Sequence, residues 1–349
     1  MSTFNIPNKV CDKLDSITRR FWWKPKQHEG IFLAWKALDN LCCLTGEGGI
    51  RFKKAKHINS SLLAKLGWMV VSKRDSLCMS ILRSKYKVKD DWLRSDSSKQ
   101  ASPIWKAIEK SKGIISKGAC YLIGDSRSIE VWLDPWVLGI QGFIPSPRTD
   151  FPAPLPLKVS NLIDPELHCW KAPLIRDLFT QADAQAILSI PIPIRPRPDR
   201  MEWIPDSKGC FSVKAAYKEI ASHNFPLPAT SINWSLLWKL KAPERIKMLL
   251  WRVGTNSLPT KDNLLIRMEV VNPWCILCNQ EPESAGHLFF NYPVAKAIWF
   301  AFCWGYKLDQ NPLNSHSNII SLILNPPEAW RLFAKPKISG LFPLPWLSL

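Results

Sequence analysis

Lys241-Ala242-Pro243-Glu244-Arg245-Ile246-Lys247-Met248-Leu249-Leu250-Trp251-Arg252-Val253 reads as a helix with proline in its first turn. Ile246, Leu249, Leu250 and Val253 recur at helical spacing and form one apolar stripe, with Arg245 and Arg252 together off it. Trp234, Leu237 and Trp238 lead into this helix. The same texture, an apolar stripe beside scattered basic and aromatic residues, returns along the chain. It sets the expected class as α+β and mostly helical, with short strands or hairpins between helices.

Downstream lies a second feature, Cys275-Ile276-Leu277-Cys278 followed by Glu281, Glu283 and His287. A CxxC turn places two thiolates on one side of a tight loop, which suits tetrahedral zinc, and a neutral imidazole at His287 supplies a third ligand. A fourth is expected shortly after, but the chain reads His287-Leu288-Phe289-Phe290-Asn291-Tyr292, and tyrosine is not an ordinary structural-zinc ligand. Glu281, Glu283 or Cys303 are the alternatives for completing a weak site; a metal-free loop is the competing reading. The fold thus gains a small CxxC…H zinc-finger-like unit.

Upstream, Met201-Glu202-Trp203-Ile204-Pro205 and Cys210-Phe211-Ser212-Val213 predict a hairpin, with Ser212 capping a helix from about Lys214 to Ser222. Pro191, Pro193, Pro196 and Pro198, interleaved with Arg195, Arg197 and Arg200, predict an extended domain boundary. Between 118 and 160 the texture is short strands: Tyr121-Leu122-Ile123, the turn at Gly124-Asp125-Ser126-Arg127, then Ile129-Glu130-Val131-Trp132 alternating as a half-buried strand. Asp134-Pro135-Trp136 closes it, and 144–156 reads as loop. Nearer the N-terminus, Ile6, Val10, Leu14 and Ile17 make one helical stripe. Lys24-Pro25-Lys26-Gln27-His28-Glu29-Gly30 reads as a loop, and Gly46-Glu47-Gly48-Gly49 as a turn leading to the basic run Arg51, Lys53, Lys54 and Lys56. A helix capped by Asn59 follows, with Leu62, Leu66, Met69 and Val70 on one face. The division expected is 1–117 helical, 118–200 short-strand and proline-rich, 201–305 carrying the CxxC unit, and 306–349 a degenerate tail.

The 349 residues include 47 Lys and Arg against 29 Asp and Glu, a formal charge of +18, and 18 Trp. Such a field draws polyanions, so RNA, DNA and anionic surfaces are the candidate partners. No apolar run nears the ~20 residues needed to span a bilayer, and Met1 to Lys9 has no apolar signal core, so neither membrane insertion nor export is expected. Ten cysteines without framework spacing point to a reducing, intracellular compartment, nucleus or cytoplasm being left open.

Trp234, Leu237-Trp238, Lys241-Ala242-Pro243, Arg245, Lys247, Leu250-Trp251-Arg252, Leu258-Pro259-Thr260, Leu264, Arg267, Cys275, Cys278, Glu283-Ser284, His287-Leu288-Phe289 and Ile298-Trp299 resemble the zinc-binding domain of plant LINE-type (non-LTR) retrotransposon reverse transcriptases. Trp203, Gly209-Cys210-Phe211-Ser212-Val213 and Ala216-Tyr217 resemble its lead-in. Phe21-Trp22-Trp23, Trp35, Gly48-Gly49-Ile50, Asn59 to Trp68, Lys85-Tyr86, Gly124-Asp125, Ile129, Trp132 and Asp134-Pro135-Trp136 resemble the segment that links polymerase to that domain. The resemblance spans about residues 7 to 305. It implies a role in RNA or DNA handling within a larger polyprotein, with Cys275, Cys278 and His287 as zinc ligands. The family has a fourth cysteine where Tyr292 stands, so the implied zinc is weakened or lost. Ser126 stands where the family often has glycine.

A polymerase needs clustered carboxylates around two metal ions. The adjacent pair Asp90-Asp91 lies in the charged stretch Lys87-Val88-Lys89-Asp90-Asp91-Trp92 and reads as an exposed loop. The stretch after Gly305 is shorter than an RNase H domain. No Gly-rich phosphate loop and no nucleophile signature appears. The expectation is therefore not an enzyme and no small-molecule substrate, but sequence-tolerant nucleic-acid binding. Phosphate contacts would come from Lys53, Lys54, Lys56, Arg195, Arg197, Arg245, Lys247 and Arg252, with a polymerase-bearing chain as a further partner. The alternatives are a protein-interaction scaffold or a non-functional relic of a retroelement.

Overall fold

The computed structural model describes residues 3–24, 32–96, 100–148, 156–195, 197–222, 231–268, 272–301 and 315–325. The expectations for Pro25 to Gly30, most of the 144–156 loop, Pro196, Cys303 and most of the tail lie outside them. The described chain is mostly helical, with two short antiparallel pairings. Two compact units form, and neither is contiguous in sequence: Met1–Leu14 with Lys54–Asn224, and Asp15–Lys53 with Phe225–Leu349.

In the first unit the helix Ala55–Val71 buries Leu63, Ala64, Gly67 and Val70. A Cβ on Gly67 would stand 2.5 Å from Ser111 Oγ and 2.6 Å from Ile115 Cδ1, so glycine is what lets the short helix Lys112–Ile115 press against it. Asn59 does not cap this helix, which begins four residues earlier. It is 2% exposed, and its amide accepts from Ile6 N (2.9 Å) and donates to Phe4 O (2.8 Å). A buried amide is satisfied by whatever backbone reaches it, and here that backbone comes from the N-terminus. The Ile6, Val10, Leu14 and Ile17 stripe meets a different outcome. In the helix Asn8–Trp23, Val10, Leu14, Ile17 and Phe21 are all exposed, and Cys11 is the buried residue. Tyr86 stacks on Trp105 at 4.4 Å, and Ser102 caps the helix Pro103–Glu109.

Ala119–Leu122 pairs antiparallel with Arg200–Trp203, Ala119 facing Trp203 and Leu122 facing Arg200. The expected hairpin from 201 to 213 is corrected accordingly. The second arm is not a strand, because Phe211 turns inward onto Trp68 and Trp203 while Ser212 Oγ caps the helix Val213–Ser222 at Ala215 N. Ile129-Glu130-Val131-Trp132 also departs from a strand. Ile129 and Val131 are buried as alternation predicts, yet Asp134 Oδ2 accepts from Glu130 N (2.7 Å) and Trp136 Nε1 donates to Val131 O (2.9 Å). Those two bonds curl the chain, leaving a single bridge between Glu130 and Lys158.

The proline-rich stretch does not leave this unit. Just beyond it, Asp199 Oδ1 accepts from Gly124 N (2.7 Å) and Ser126 N (2.9 Å), and Oδ2 accepts from Ser128 N (3.2 Å) and Ser128 Oγ (2.6 Å). Successive N–H groups of a tight turn make a concave anion site, filled here by a carboxylate of the same chain. Ser126 holds a left-handed φ of 60°, is fully buried, and its hydroxyl has no hydrogen-bond partner among the described residues.

In the second unit the helix Glu244–Gly254 buries Ile246, Leu250, Trp251 and Val253 against Leu41, Trp234, Leu237, Trp299 and Ile320. Pro243 sits just ahead of the first turn, where its fixed φ is preorganised and its missing N–H costs nothing. The Gly46 to Gly49 turn closes this core. Gly48 takes a φ of 85°, a Cβ there would stand 2.9 Å from Trp234 Nε1, and its carbonyl accepts from Trp251 Nε1 at 2.8 Å. Truncating a buried indole generally costs about 3–5 kcal/mol, so these tryptophans are major determinants of the unit.

Candidate metal centre

The CxxC loop is built by backbone bonds that fold it on itself. Cys275 N donates to Glu281 O (2.9 Å), Asn279 N to Cys275 O (2.8 Å) and Glu283 N to Pro273 O (2.8 Å), with Trp274 bridging Pro282. Asn279 takes a φ of 52°, a conformation that asparagine tolerates better than most side chains. His287 opens the next element. Its N–H donates to Ser284 Oγ (3.0 Å), and its carbonyl accepts from Tyr292 N (2.7 Å) across five residues, a wide π-type turn.

These two pieces bring Cys275, Cys278 and His287 together, their ligand atoms all within 4.8 Å of one another. Cys278 Sγ lies 3.4 Å from His287 Nε2. Tetrahedral zinc with its usual bond lengths separates a thiolate sulfur and an imidazole nitrogen by about 3.5 Å, so the donor set and its spacing fit zinc. Cys275 is fully buried and His287 is 4% exposed, while Cys278 is half-buried. Hydrogen bonds from the Gln280 backbone first, then from Glu281, Cys275 and His287, hold the Cys278 thiol below its ordinary value; burial opposes them. A thiol biased toward thiolate is the form that binds metal.

Tyr292, at the position of the expected fourth ligand, sets its ring edge-on to His287 with centroids 5.9 Å apart. Glu281 is next to the cluster in a different capacity, its Oε2 lying 2.9 Å from His287 Nδ1. Sequence reading weighed Glu281 as a ligand and missed this contact. The signal for it, an acid six residues before a candidate ligand histidine, is too generic to stand out. Arg267 is another structural residue that spacing did not assign. It donates to Ala34 O and Trp35 O at 2.8 Å each and lies over the Trp35 ring.

The eight basic residues named for phosphate contact fall in both units. Lys54, Lys56, Arg195 and Arg197 belong to the first, and Lys53, Arg245, Lys247 and Arg252 to the second. Lys56, Arg195, Arg197 and Arg245 are exposed. Lys247 is engaged by Glu244 (2.9 Å), and Arg252 lies over the Trp23 ring at 5.9 Å. Among the described residues no disulfide forms, and no helix is long and apolar enough to cross a membrane.

The fold and the site define a mostly helical protein whose second unit carries a Cys–Cys–His cluster able to hold a metal ion. Residues 211–299 match the family described as zinc-binding in reverse transcriptase. The chain is 27% identical over 310 residues to a putative ribonuclease H protein of Arabidopsis thaliana, covering 86% of this chain and 48% of that protein. It is 29% identical over 139 residues to an uncharacterized mitochondrial protein of Arabidopsis thaliana, covering 40% of this chain and 90% of that protein. The chain therefore spans about half the length of the first relative. No solved structure matches it.

Proposed function

We propose that this chain is an accessory, non-catalytic, nucleic-acid-binding part of a LINE-type retroelement reverse transcriptase, in which zinc at Cys275, Cys278 and His287 holds the CxxC loop in shape. The observation that carries the reading is the thiol–imidazole cluster inside a stretch that matches a zinc-binding region of reverse transcriptase. Two thiolates and an imidazole suit structural zinc, whereas phosphoryl transfer calls for a carboxylate set. The formal charge of +18 supports RNA or DNA as the partner. Lys53, Lys54, Lys56, Arg195, Arg197, Arg245, Lys247 and Arg252 are the proposed phosphate contacts, and a polymerase-bearing chain is the proposed protein partner. A compartment that keeps thiols reduced accords with the free cysteines.

A second reading, a protein-docking scaffold, is favoured by one observation: the stripe of Val10, Leu14, Ile17 and Phe21 left exposed on one helix. Affinity for single-stranded RNA and for duplex DNA, measured across a salt series with and without a zinc chelator, separates the two. Phosphate binding gives a linear fall of log affinity with log salt, about −0.7 per contact on single strands and −0.9 on duplex. Absence of binding at low salt overturns the proposal and leaves the scaffold. Affinity that a chelator lowers ties binding to the metal centre.

A further inference from the structure

We infer that Glu281 is the positioning residue of the metal centre: its carboxylate holds the Nδ1 edge of His287, so that Nε2 faces the Cys275 and Cys278 thiolates. This rests on zinc binding at the three-residue cluster and adds a role to a fourth side chain.

An imidazole has two nitrogens, and a metal can use only the one that carries no proton. Glu281 Oε2 lies 2.9 Å from Nδ1, and Cys278 Sγ lies 3.4 Å from Nε2, so the two edges of the ring face different groups. An ionised carboxylate only accepts hydrogen bonds. Its neighbour Nδ1 must therefore carry a proton, and in the neutral ring this leaves the lone pair on Nε2, the nitrogen beside Cys278. The ring is 4% exposed, and its backbone N–H is held by Ser284 Oγ, so little freedom remains to flip the edges.

Glu281 is placed to do this without being a ligand itself. Its backbone carbonyl accepts from Cys275 N, which fixes the residue beside the first thiol, while its side chain is 58% exposed and meets the imidazole at Nδ1, the nitrogen that Cys278 Sγ does not approach. Nothing in that arrangement requires the side chain for packing. A carboxylate hydrogen-bonded to the outer nitrogen of a ligand histidine fixes its tautomer and raises its basicity, and its loss generally lowers metal affinity about 10–100-fold. With three protein ligands gathered here among the described residues, the orientation of the histidine matters more than in a closed four-ligand site.

The test titrates cobalt(II), then zinc, into the full chain in metal-free form, in competition with a chromophoric chelator. The wild-type chain is expected to show thiolate-to-cobalt charge-transfer absorption. Glu281→Ala should keep that absorption at saturation, since both thiolates remain, but bind about 10–100-fold more weakly. Glu281→Gln, whose amide oxygen still accepts from Nδ1–H, should fall between the two. The metal-free melting temperature of both variants should match wild type. Wild-type affinity in Glu281→Ala overturns the inference. A loss accompanied by an equal fall in metal-free stability also overturns it, by making the role one of folding. A wild-type chain without charge-transfer absorption defeats the zinc reading itself, a failure distinct from the other two.

Discussion

Two loops of this chain gather polar atoms around a point, and they complete the arrangement by different means. Between Gly124 and Ser128, three backbone N–H groups and one hydroxyl converge on Asp199, an anion supplied by the chain. Around Cys275 and Cys278, two thiols and an imidazole converge on one another, a set able to hold a cation that the chain itself does not supply. The first loop is complete as folded. With zinc bound as proposed, the second would couple its order to a solute, and its stability would follow metal concentration as well as sequence.

The largest effect that would test this contrast comes from Asp199→Ala. It removes the partner of three N–H groups at once, and hydrogen bonds to charged groups are worth about 1.5–3 kcal/mol each. Partial exposure allows water to replace some of them, so a loss of about 3 kcal/mol is expected in urea unfolding. Zinc affinity should not change. A shared loss of both would show that the two loops are not independent.

Ser126→Gly should act in the opposite direction at the same loop. It relieves a left-handed φ and removes a buried hydroxyl that has no partner among the described residues, at the cost of backbone freedom in the unfolded chain. A gain of about 1 kcal/mol is expected, read as a shift of the urea midpoint at constant slope. A loss would mean that the hydroxyl is satisfied by water.

The smallest effect is a pH dependence. Burial pushes the Cys120 thiol and the Tyr121 phenol, neighbours on one strand, each up to about 12. The unfolded chain releases these protons near the ordinary values of 9.0 and 10.0, so above about pH 9 it binds fewer protons than the folded chain. Stability is therefore fully present below pH 9 and declines as pH rises toward 12. Cys120→Ala should make that decline shallower, as measured by urea midpoints at pH 8, 9 and 10.

What the sequence disclosed divides along similar lines. Cys275, Cys278 and His287 were legible because ligand spacing is a local code, and the stripe of Ile246, Leu250 and Val253 because helical period is local too. The pairing of Ala119–Leu122 with Arg200–Trp203 was not legible, since nothing in a four-residue strand names a distant partner. Ile129 to Trp132 carried the right burial on the wrong backbone, because alternation reports which side chains point inward and cannot see Asp134 capturing Glu130 N. Val10, Leu14 and Ile17 show the reverse failure, a correct period whose apolar face is left exposed.

The turn at Gly48 has a consequence for how the chain is made. Its bond to Trp251 joins residues 203 positions apart. At a synthesis rate of about 5–20 residues per second, the turn waits about 10–40 s on the ribosome before its partner emerges. During that interval Trp23, which ends stacked on Trp251 with ring centroids 6.5 Å apart, lacks that partner. The expected outcome is a yield in the cell that depends on holding chaperones more than the finished stability would indicate, checked by expression with and without added chaperone.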